Sequence, residues 1–209
     1  MLIYGSALEA APGKSGQLGP QLPALRDTLA KSTGQPWWAW AVAVGRPFGS
    51  FLLSTRVNDM VELLEAQQKV GASTEFQKLS AGLGGLMAAP AETTLTEIIG
   101  MTGEPGEPKP LITITRAAMV GGHIGEALAW STKVMEYITD LTGVGGVVGA
   151  STAGPMFQVS WLVGSDEASQ IDDTNAKLNA DAGYLEMIDA AGGLFIPGSA
   201  ERVVIAMMP

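Results

Sequence analysis

The chain has 209 residues, enough for one large domain or for two small ones with modest cores. Hydrophobic residues make up 46% and charged residues 16%, a composition too apolar and too weakly charged for a disordered chain. The absence of cysteine excludes disulfides, zinc thiolates, iron–sulfur clusters and thiol nucleophiles.

Net charge and hydropathy limit the kinds of partner that the protein can bind. Twelve basic against 21 acidic residues give a net charge of −9, so a nucleic-acid backbone or an anionic membrane is repelled. Gly, Pro and polar residues interrupt every apolar stretch before it reaches the roughly 18 to 20 residues of a membrane span. The N-terminus lacks the basic start and apolar core of a signal peptide. We expect a cytoplasmic protein with no nucleic-acid partner and no membrane span. A homo-oligomer is compatible with the sequence.

The second half of the chain repeats the first. At a displacement of 109 residues, Gly13 and Gly16 fall on Gly122 and Gly125, and the matches continue until Phe48 falls on Phe157. One residue is then lost, and at a displacement of 108 the segment 84–86 falls on 192–194, both Gly-Gly-Leu. Many matches are glycines at predicted turns, where backbone geometry restricts the choice of residue. We interpret the pattern as a duplication, with chance alignment of a Gly- and Ala-rich chain as the alternative.

A segment rich in proline and glycine separates the two halves. Its composition is typical of a linker, so the predicted domains are residues 1–100, a linker at 101–110, and residues 111–209. Residues 1–100 carry 7 basic and 8 acidic groups, whereas residues 101–209 carry 5 and 13. The net charge therefore belongs mostly to the second half, where it indicates a solvated surface.

Each half predicts the same elements in chain order. The opening strands are residues 2–10 and 111–119. The first helix carries a leucine stripe in one copy and runs over 124–141 in the other; the stripe is Leu18, Leu22, Leu25 and Leu29. In the first copy Thr33-Gly34 ends this helix, and Pro20 and Pro23 restrict its start.

The remaining elements are a hairpin, a broken helix and a last strand. The hairpin strands are predicted at 37–44 with 48–55 and at 147–152 with 157–163. The second helix opens at Asn58-Asp59 or Ser165-Asp166 and breaks near Gly71 or Gly183. The last strands are 95–99 and 202–207. The order β-α-β-β-α-β is the ferredoxin-like unit, here predicted twice.

A four-stranded sheet with both helices on one side leaves its other face uncovered. A second identical sheet is the simplest cover. Along residues 37–44, Trp38 and Trp40 point one way while Trp37 and Ala39 point the other, so both faces of this strand are apolar. The predicted fold is therefore α+β, with tandem ferredoxin-like repeats forming an intrachain pseudo-dimeric α+β barrel.

The chain resembles the dimeric α+β barrel superfamily, and within it antibiotic-biosynthesis-monooxygenase-like proteins with two fused repeats. The resemblance rests on the Gly-Lys-Ser-Gly opening at 13–16, the Thr33-Gly34 ending, the hairpin, and the phrase Val-Gly-Ala-Ser-Thr-Glu-Phe at 70–76. This phrase is similar to the family's His-x-x-Ser-x-x-Phe segment, but Val70 and, in the copy, Leu178 stand where histidine is common. Haem-degrading members use a helix histidine as axial ligand, so haem degradation is not implied.

The resemblance implies oxidation of an aromatic molecule without metal or flavin, so we expect no cofactor and no metal site. Polar groups at the cavity edge would stabilise a substrate enolate. The candidate catalytic residues are Arg56 and Arg116 for positive charge, Tyr4 and Gln67 for hydrogen bonds, and His123, which is the only histidine, as a general base. An exposed turn residue is the alternative for His123, and a surface ion pair is the alternative for each arginine.

Tryptophan is unevenly divided between the halves. The candidate ligand-binding residues are Trp38, Trp40, Trp161 and Asn175. Where the first half has its tryptophan cluster, the second has glycine and valine, so the duplicated sites have diverged. The tryptophans either fill the core or line a flat apolar cavity for an aromatic molecule. A pocket in the first half, near Arg56, Tyr4 or Gln67, would favour the cavity.

Two functions follow from these observations. The first is a cofactor-independent monooxygenase-like protein that acts on or binds a small aromatic or polyketide-like molecule. The alternative is a non-catalytic ligand-binding or assembly protein that retains the dimeric α+β barrel fold.

Overall fold

A computed structural model describes residues 1–103 and 106–209, so Glu104 and Pro105 of the predicted 101–110 linker lie outside the described residues. The described residues form a mixed α and β structure with two compact units. Unit 1 comprises residues 1–96 and 206–209, and unit 2 comprises residues 97–205.

Unit 1 holds three strands, four helices and the start of a fourth strand. In chain order these are β1 (Leu2–Glu9), α1 (Ser15–Leu18), α2 (Leu22–Thr33), β2 (Trp37–Val44), β3 (Ser50–Val57), α3 (Met60–Ala72), α4 (Thr74–Leu83) and β4 (Glu92–Met101). A single 3-10 turn, Gly19–Gln21, joins α1 to α2. Strand β4 passes from unit 1 into unit 2 after Thr96.

Unit 2 holds the second series of elements. In chain order these are β5 (Leu111–Ala118), α5 (Ile124–Thr142), β6 (Gly146–Ala153), β7 (Gln158–Ser165), α6 (Ala168–Ala180), α7 (Ala182–Ala190) and β8 (Glu201–Met207). In hydrogen-bonding order the strands run β1-β3-β2-β8-β5-β7-β6-β4 and form a closed barrel.

The helix ends follow local sequence chemistry. Pro20 lies in the 3-10 turn and Pro23 in the first turn of α2, where a missing N–H costs little. Helix α2 ends at Gly34, whose φ of 77° favours glycine, as Thr33-Gly34 predicts. Helix α3 is capped by Asp59, whose Oδ1 accepts a hydrogen bond from Glu62 N at 2.9 Å.

The predicted start of α6 is wrong. Strand β7 runs through Ser165, two residues beyond the predicted end of the strand, so the helix cap falls on Glu167 instead of Ser165-Asp166. The backbone N–H of Asp166 instead donates to Gln170 Oε1 at 2.9 Å. The reason is that the sheet ladder holds Ser165 opposite Leu111 and leaves it no freedom to cap a helix.

The two hairpin turns differ in length by one residue, 45–49 in unit 1 against 154–157 in unit 2. Ala10 N donates to Gly49 O at 2.9 Å in unit 1, and Met119 N donates to Phe157 O at 2.8 Å in unit 2. Both acceptors have a left-handed φ, 90° for Gly49 and 58° for Phe157. Phe157 therefore holds the turn position that Gly49 holds in unit 1, one residue from its predicted match, Phe48.

Each unit has a core between its helices and one face of its sheet. In unit 1 the predicted leucine stripe of α1 and α2 is buried, and it packs against Trp37 and Leu53. In unit 2, Val134 and Ile138 of α5 pack against Val159 and Trp161 of β7. Among the described residues, no helix combines the length and apolarity needed to cross a bilayer.

Candidate functional site

A cavity lies in unit 2 between the sheet and the helices α5, α6 and α7. Its volume is about 130 Å³. Its lining is mostly apolar and includes a few polar side chains. The lining residues on which the site depends are Trp130, Trp161, Thr113, Asn175, Tyr184 and Arg202.

Trp130 and Trp161 form the aromatic wall of the cavity, and Phe195 packs against both rings. Trp130 and Trp161 meet edge to face with centroids 6.0 Å apart, and Phe195 lies 5.4 Å from Trp130 and 5.6 Å from Trp161. Trp161 Nε1 donates to Ser131 O at 3.2 Å, and Trp130 Nε1 donates to Met187 O at 3.1 Å. Because both indole N–H groups are occupied, the wall offers a ligand only apolar ring surface.

Arg202 supplies a positive charge to the cavity lining. Its Nε donates to Thr115 Oγ1 at 3.1 Å, and its Nη1 donates to Asn175 Oδ1 at 3.3 Å. Both acceptors are neutral, and among the described residues no carboxylate lies within ion-pair distance of this guanidinium. The two hydrogen bonds orient the side chain while leaving its charge uncompensated.

Asn175 presents its amide nitrogen as a free donor. An arginine can only donate, so the amide oxygen of Asn175 must face Arg202. The Nδ2 group has no hydrogen-bond partner among the described residues. Asn175 therefore adds two N–H donors to the site that Arg202 defines.

Hydroxyl groups complete the polar part of the lining. Burial raises the pKa of Tyr184, and the charge of Arg202 partly opposes this, so the phenol remains a neutral donor at pH 7. Within the described part of the chain, the side-chain hydroxyls of Tyr184, Thr113, Thr174 and Ser165 have no hydrogen-bond partner. These groups can bind a polar ligand without breaking an internal bond.

Unit 1 has a side chain where unit 2 has this cavity. Tyr4 is the third residue of β1, as Thr113 is of β5, and Gln67 is the eighth residue of α3, as Asn175 is of α6. The Tyr4 ring meets Trp37 edge to face at 5.9 Å, and burial raises the pKa of the Tyr4 hydroxyl while the Gln67 side chain lowers it. Tyr4 therefore occupies space that the smaller Thr113 leaves open.

Trp38, Trp40 and Arg56 do not share the helix-facing side with Tyr4. Alternation along β2 places Trp37 in the helix-facing core and Trp38 and Trp40 on the opposite face of the sheet. Trp40 Nε1 donates to Ser54 Oγ at 2.9 Å, and the guanidinium carbon of Arg56 lies 5.1 Å from the Trp38 ring centroid. Trp40 is 2% exposed.

The other two predicted catalytic residues lie outside the cavity lining. Arg116 Nη1 lies 3.6 Å from Glu201 Oε1, and both side chains are partly buried. His123 is half-exposed at the start of α5, with Nδ1 3.1 Å from Glu126 Oε2. Of the nine predicted site residues, the structure brings two together in the cavity lining, Trp161 and Asn175.

Sequence reasoning missed Arg202 and Tyr184. Arg202 lies in the last strand, β8, where every second residue faces the helices. It is the only basic residue of that strand, and this is the sequence signal that could have identified it. The signal for Tyr184 is its match to Phe76 in the first half, a pair in which only the second member has a hydroxyl.

No protein-family profile and no curated protein matches the sequence. Solved structures do match. A candidate monooxygenase from Fusobacterium nucleatum has a TM-score of 0.70 at 9% identity, covering 100% of this chain and 92% of that one. An anthrone oxidase-like protein has a TM-score of 0.70 at 14% identity, covering 100% and 91%. A candidate monooxygenase from Lactobacillus acidophilus has a TM-score of 0.65 at 8% identity, covering 99% and 93%.

The chain has the fold of these neighbours, and its strands β1 to β8 form a closed barrel. A haem held by an axial histidine does not fit the cavity, because no described histidine lines it and His123 lies elsewhere, at the start of α5. Among the described residues, no group of three His, Asp or Glu side chains could hold a metal ion.

Proposed function

We propose that this chain is a monooxygenase-like protein that binds a small aromatic molecule in the cavity of unit 2. One observation carries the proposal: an apolar ring wall built on Trp161 faces the same cavity as an unpaired guanidinium, Arg202. An apolar cavity with a few convergent polar groups is the usual form of a small-molecule site. Trp161 and Asn175 keep their predicted ligand-binding roles in this proposal.

The chemistry that suits the site is oxidation of an acidic C–H group next to a carbonyl. Loss of the proton gives an enolate, and Arg202 and the amide of Asn175 are donors for its oxygen. The enolate carbon then reacts with O₂, so that a CH₂ group and one O₂ give a C=O group and one water. Arg202 takes the electrophilic role that the sequence suggested for Arg56 or Arg116.

A second candidate function is binding without catalysis. Among the described residues, no carboxylate and no histidine lines the cavity, so these residues supply no ordinary general base for removing a proton from carbon. Oxidation is then restricted to substrates that ionise readily by themselves. A protein that only binds or carries an aromatic molecule needs no base.

Oxygen uptake tests the proposed reaction. The substrates are ethyl benzoylacetate and benzoylacetone, two one-ring compounds with an acidic CH₂ group. We expect uptake of one O₂ per ketone formed, reduced at least about tenfold in Arg202→Gln. The matched control is Lys133→Gln, which removes one exposed positive charge from α5 and should leave the rate unchanged.

Two outcomes would contradict this assignment. Uptake that is lost in Arg56→Gln but retained in Arg202→Gln would move the chemistry to the tryptophans of unit 1. Binding of both compounds without oxygen uptake would favour the non-catalytic candidate. Calorimetric titration in the absence of O₂ separates binding from turnover.

We also propose that the fold is a tandem pair of ferredoxin-like repeats, residues 1–100 and 111–209. The matching registers support this: Leu2 pairs with Val57 in unit 1, and Leu111 pairs with Ser165 in unit 2. The strand order β4-β1-β3-β2 and its counterpart β8-β5-β7-β6 agree with it. On this view only the second repeat has kept the cavity open.

A further inference from the structure

We propose that the ligand is an anion, a single aromatic ring bearing a planar oxyanion, with its ring against Trp161 and its oxyanion on Arg202. This inference rests on the proposed function, because it names the class of molecule that the same cavity takes. The shared chemistry is a delocalised oxyanion conjugated with the ring, which a carboxylate or an enolate supplies equally.

The size of the cavity limits the ligand to one ring. Apolar cavities of about 150 Å³ take up one benzene molecule. The cavity of unit 2 is about 130 Å³, and its Trp161 wall is held by the hydrogen bond to Ser131 and by contact with Phe195. A ligand with two or three fused rings would have to leave most of its surface outside.

The polarity of the lining favours an acceptor. Arg202 and the amide nitrogen of Asn175 can only donate, and the free hydroxyls of Tyr184 and Thr113 can donate as well. No described Asp or Glu lines the cavity, although residues 101–209 carry 13 acidic groups. Arg202 is exposed at the cavity and has no carboxylate partner among the described residues, so an anion can pair with it there.

The geometry of Arg202 suits a planar oxyanion. A guanidinium has five N–H donors, and two of those on Arg202 are used, by Thr115 and Asn175. The remaining donors are the second N–H of Nη1 and both N–H groups of Nη2, and a parallel pair of N–H groups on two nitrogens binds both oxygens of a carboxylate. Thr115 and Asn175 act here as positioning residues, because they fix the guanidinium before the ligand arrives.

Calorimetric titration at pH 7 with benzoate and with benzamide tests the inference. The two probes have nearly the same shape, and only benzoate is charged. We expect benzoate to bind at least about tenfold more tightly than benzamide to the unaltered protein, since a bidentate arginine–carboxylate pair is a strong interaction. Arg202→Gln should lose that preference while keeping its affinity for benzamide within about twofold, and Arg202→Lys should keep part of it.

The control and the outcomes separate this inference from the proposed function. Lys133→Gln changes the net charge by the same amount and should bind benzoate like the unaltered protein. Equal affinity for benzoate and benzamide, or an equal loss in Lys133→Gln and Arg202→Gln, would overturn the anion while leaving the cavity as an aromatic site. Failure of both probes to bind would overturn the proposed function together with the inference.

Discussion

Tyr137 donates a 2.7 Å hydrogen bond to Asp181 Oδ1, the oxygen that also accepts the backbone N–H of Tyr184 at 2.7 Å. Asp181 is the N-cap of α7, the helix that carries Tyr184 and Ile188 into the cavity lining. A surface carboxylate therefore joins α5 to the start of the helix that forms one wall of the site.

Replacing Asp181 should loosen this helix. The bond from Tyr137 and the backbone N–H of Tyr184 lower the pKa of Asp181. We expect Asp181→Ala to lower the melting temperature at pH 7 by about 2–4 °C, as loss of a helix cap does in a chain of this size. Thermal unfolding followed by circular dichroism measures the change, with Asp189→Ala, at the other end of α7, as control.

The effect of Asp181→Ala should depend on pH in one direction. A carboxyl group whose folded-state pKa is lowered stabilises the protein fully above its unfolded pKa of about 3.9. That contribution is lost as the pH falls through the folded-state value. The difference between variant and unaltered protein should therefore shrink at pH 2–3, and a difference that grows on acidification would exclude this role for the carboxylate.

The sequence predicts the elements better than the site. The leucine stripe and the Thr33-Gly34 ending give α2 its face and its end, because periodicity and a left-handed glycine act locally. The cavity depends on the small size of one side chain, Thr113, at the position where the first half has Tyr4. The tryptophans show where aromatic volume is high, and they therefore direct a reader of the sequence to the first half.

The direction of each side chain explains why the sequence indicated Arg56 and Arg116 instead of Arg202. Arg56 and Arg116 are strand arginines, as Arg202 is, and only the pairing register and strand parity decide which of them faces the helices. A shift of one residue moves a side chain to the other face of the sheet.

Thr113→Tyr should close the cavity. It places in β5 the residue that β1 has at the same position, where Tyr4 lies against Trp37. We expect the affinity for benzoate to fall at least about tenfold, because the ring would occupy the ligand's space. Thr113→Ser is the matched control, since it keeps a hydroxyl and adds no volume. Unchanged binding by the tyrosine variant would show that the ligand binds elsewhere.

Tyr4→Thr should destabilise unit 1. The substitution removes a ring that contacts Trp37. We expect the free energy of unfolding to fall by about 2–4 kcal/mol, the range for deleting large side chains from a core. Urea denaturation measures it, and Tyr4→Phe, which keeps the ring, is the matched control and should lose less stability than Tyr4→Thr. A Tyr4→Thr variant as stable as the unaltered protein would mean that the ring does not fill the core.

Phe157→Gly should stabilise the protein, although it deletes an aromatic ring. Phe157 has a φ of 58° and is 53% exposed, and Gly49 has the corresponding place in the other hairpin. A left-handed conformation costs a non-glycine residue about 1–2 kcal/mol. The greater unfolded-state entropy of glycine costs about 0.4–1 kcal/mol, so strain relief is the larger effect.

The expected gain from Phe157→Gly is about 0.5–1 kcal/mol in the free energy of unfolding, measured by urea denaturation. Phe48→Gly is the matched control, because Phe48 is 93% exposed and has no left-handed φ. Its substitution relieves no strain and should lower stability slightly. If both glycine variants shift the midpoint in the same direction, the Phe157 ring or the flexibility of the turn decides the outcome, and the strain argument fails.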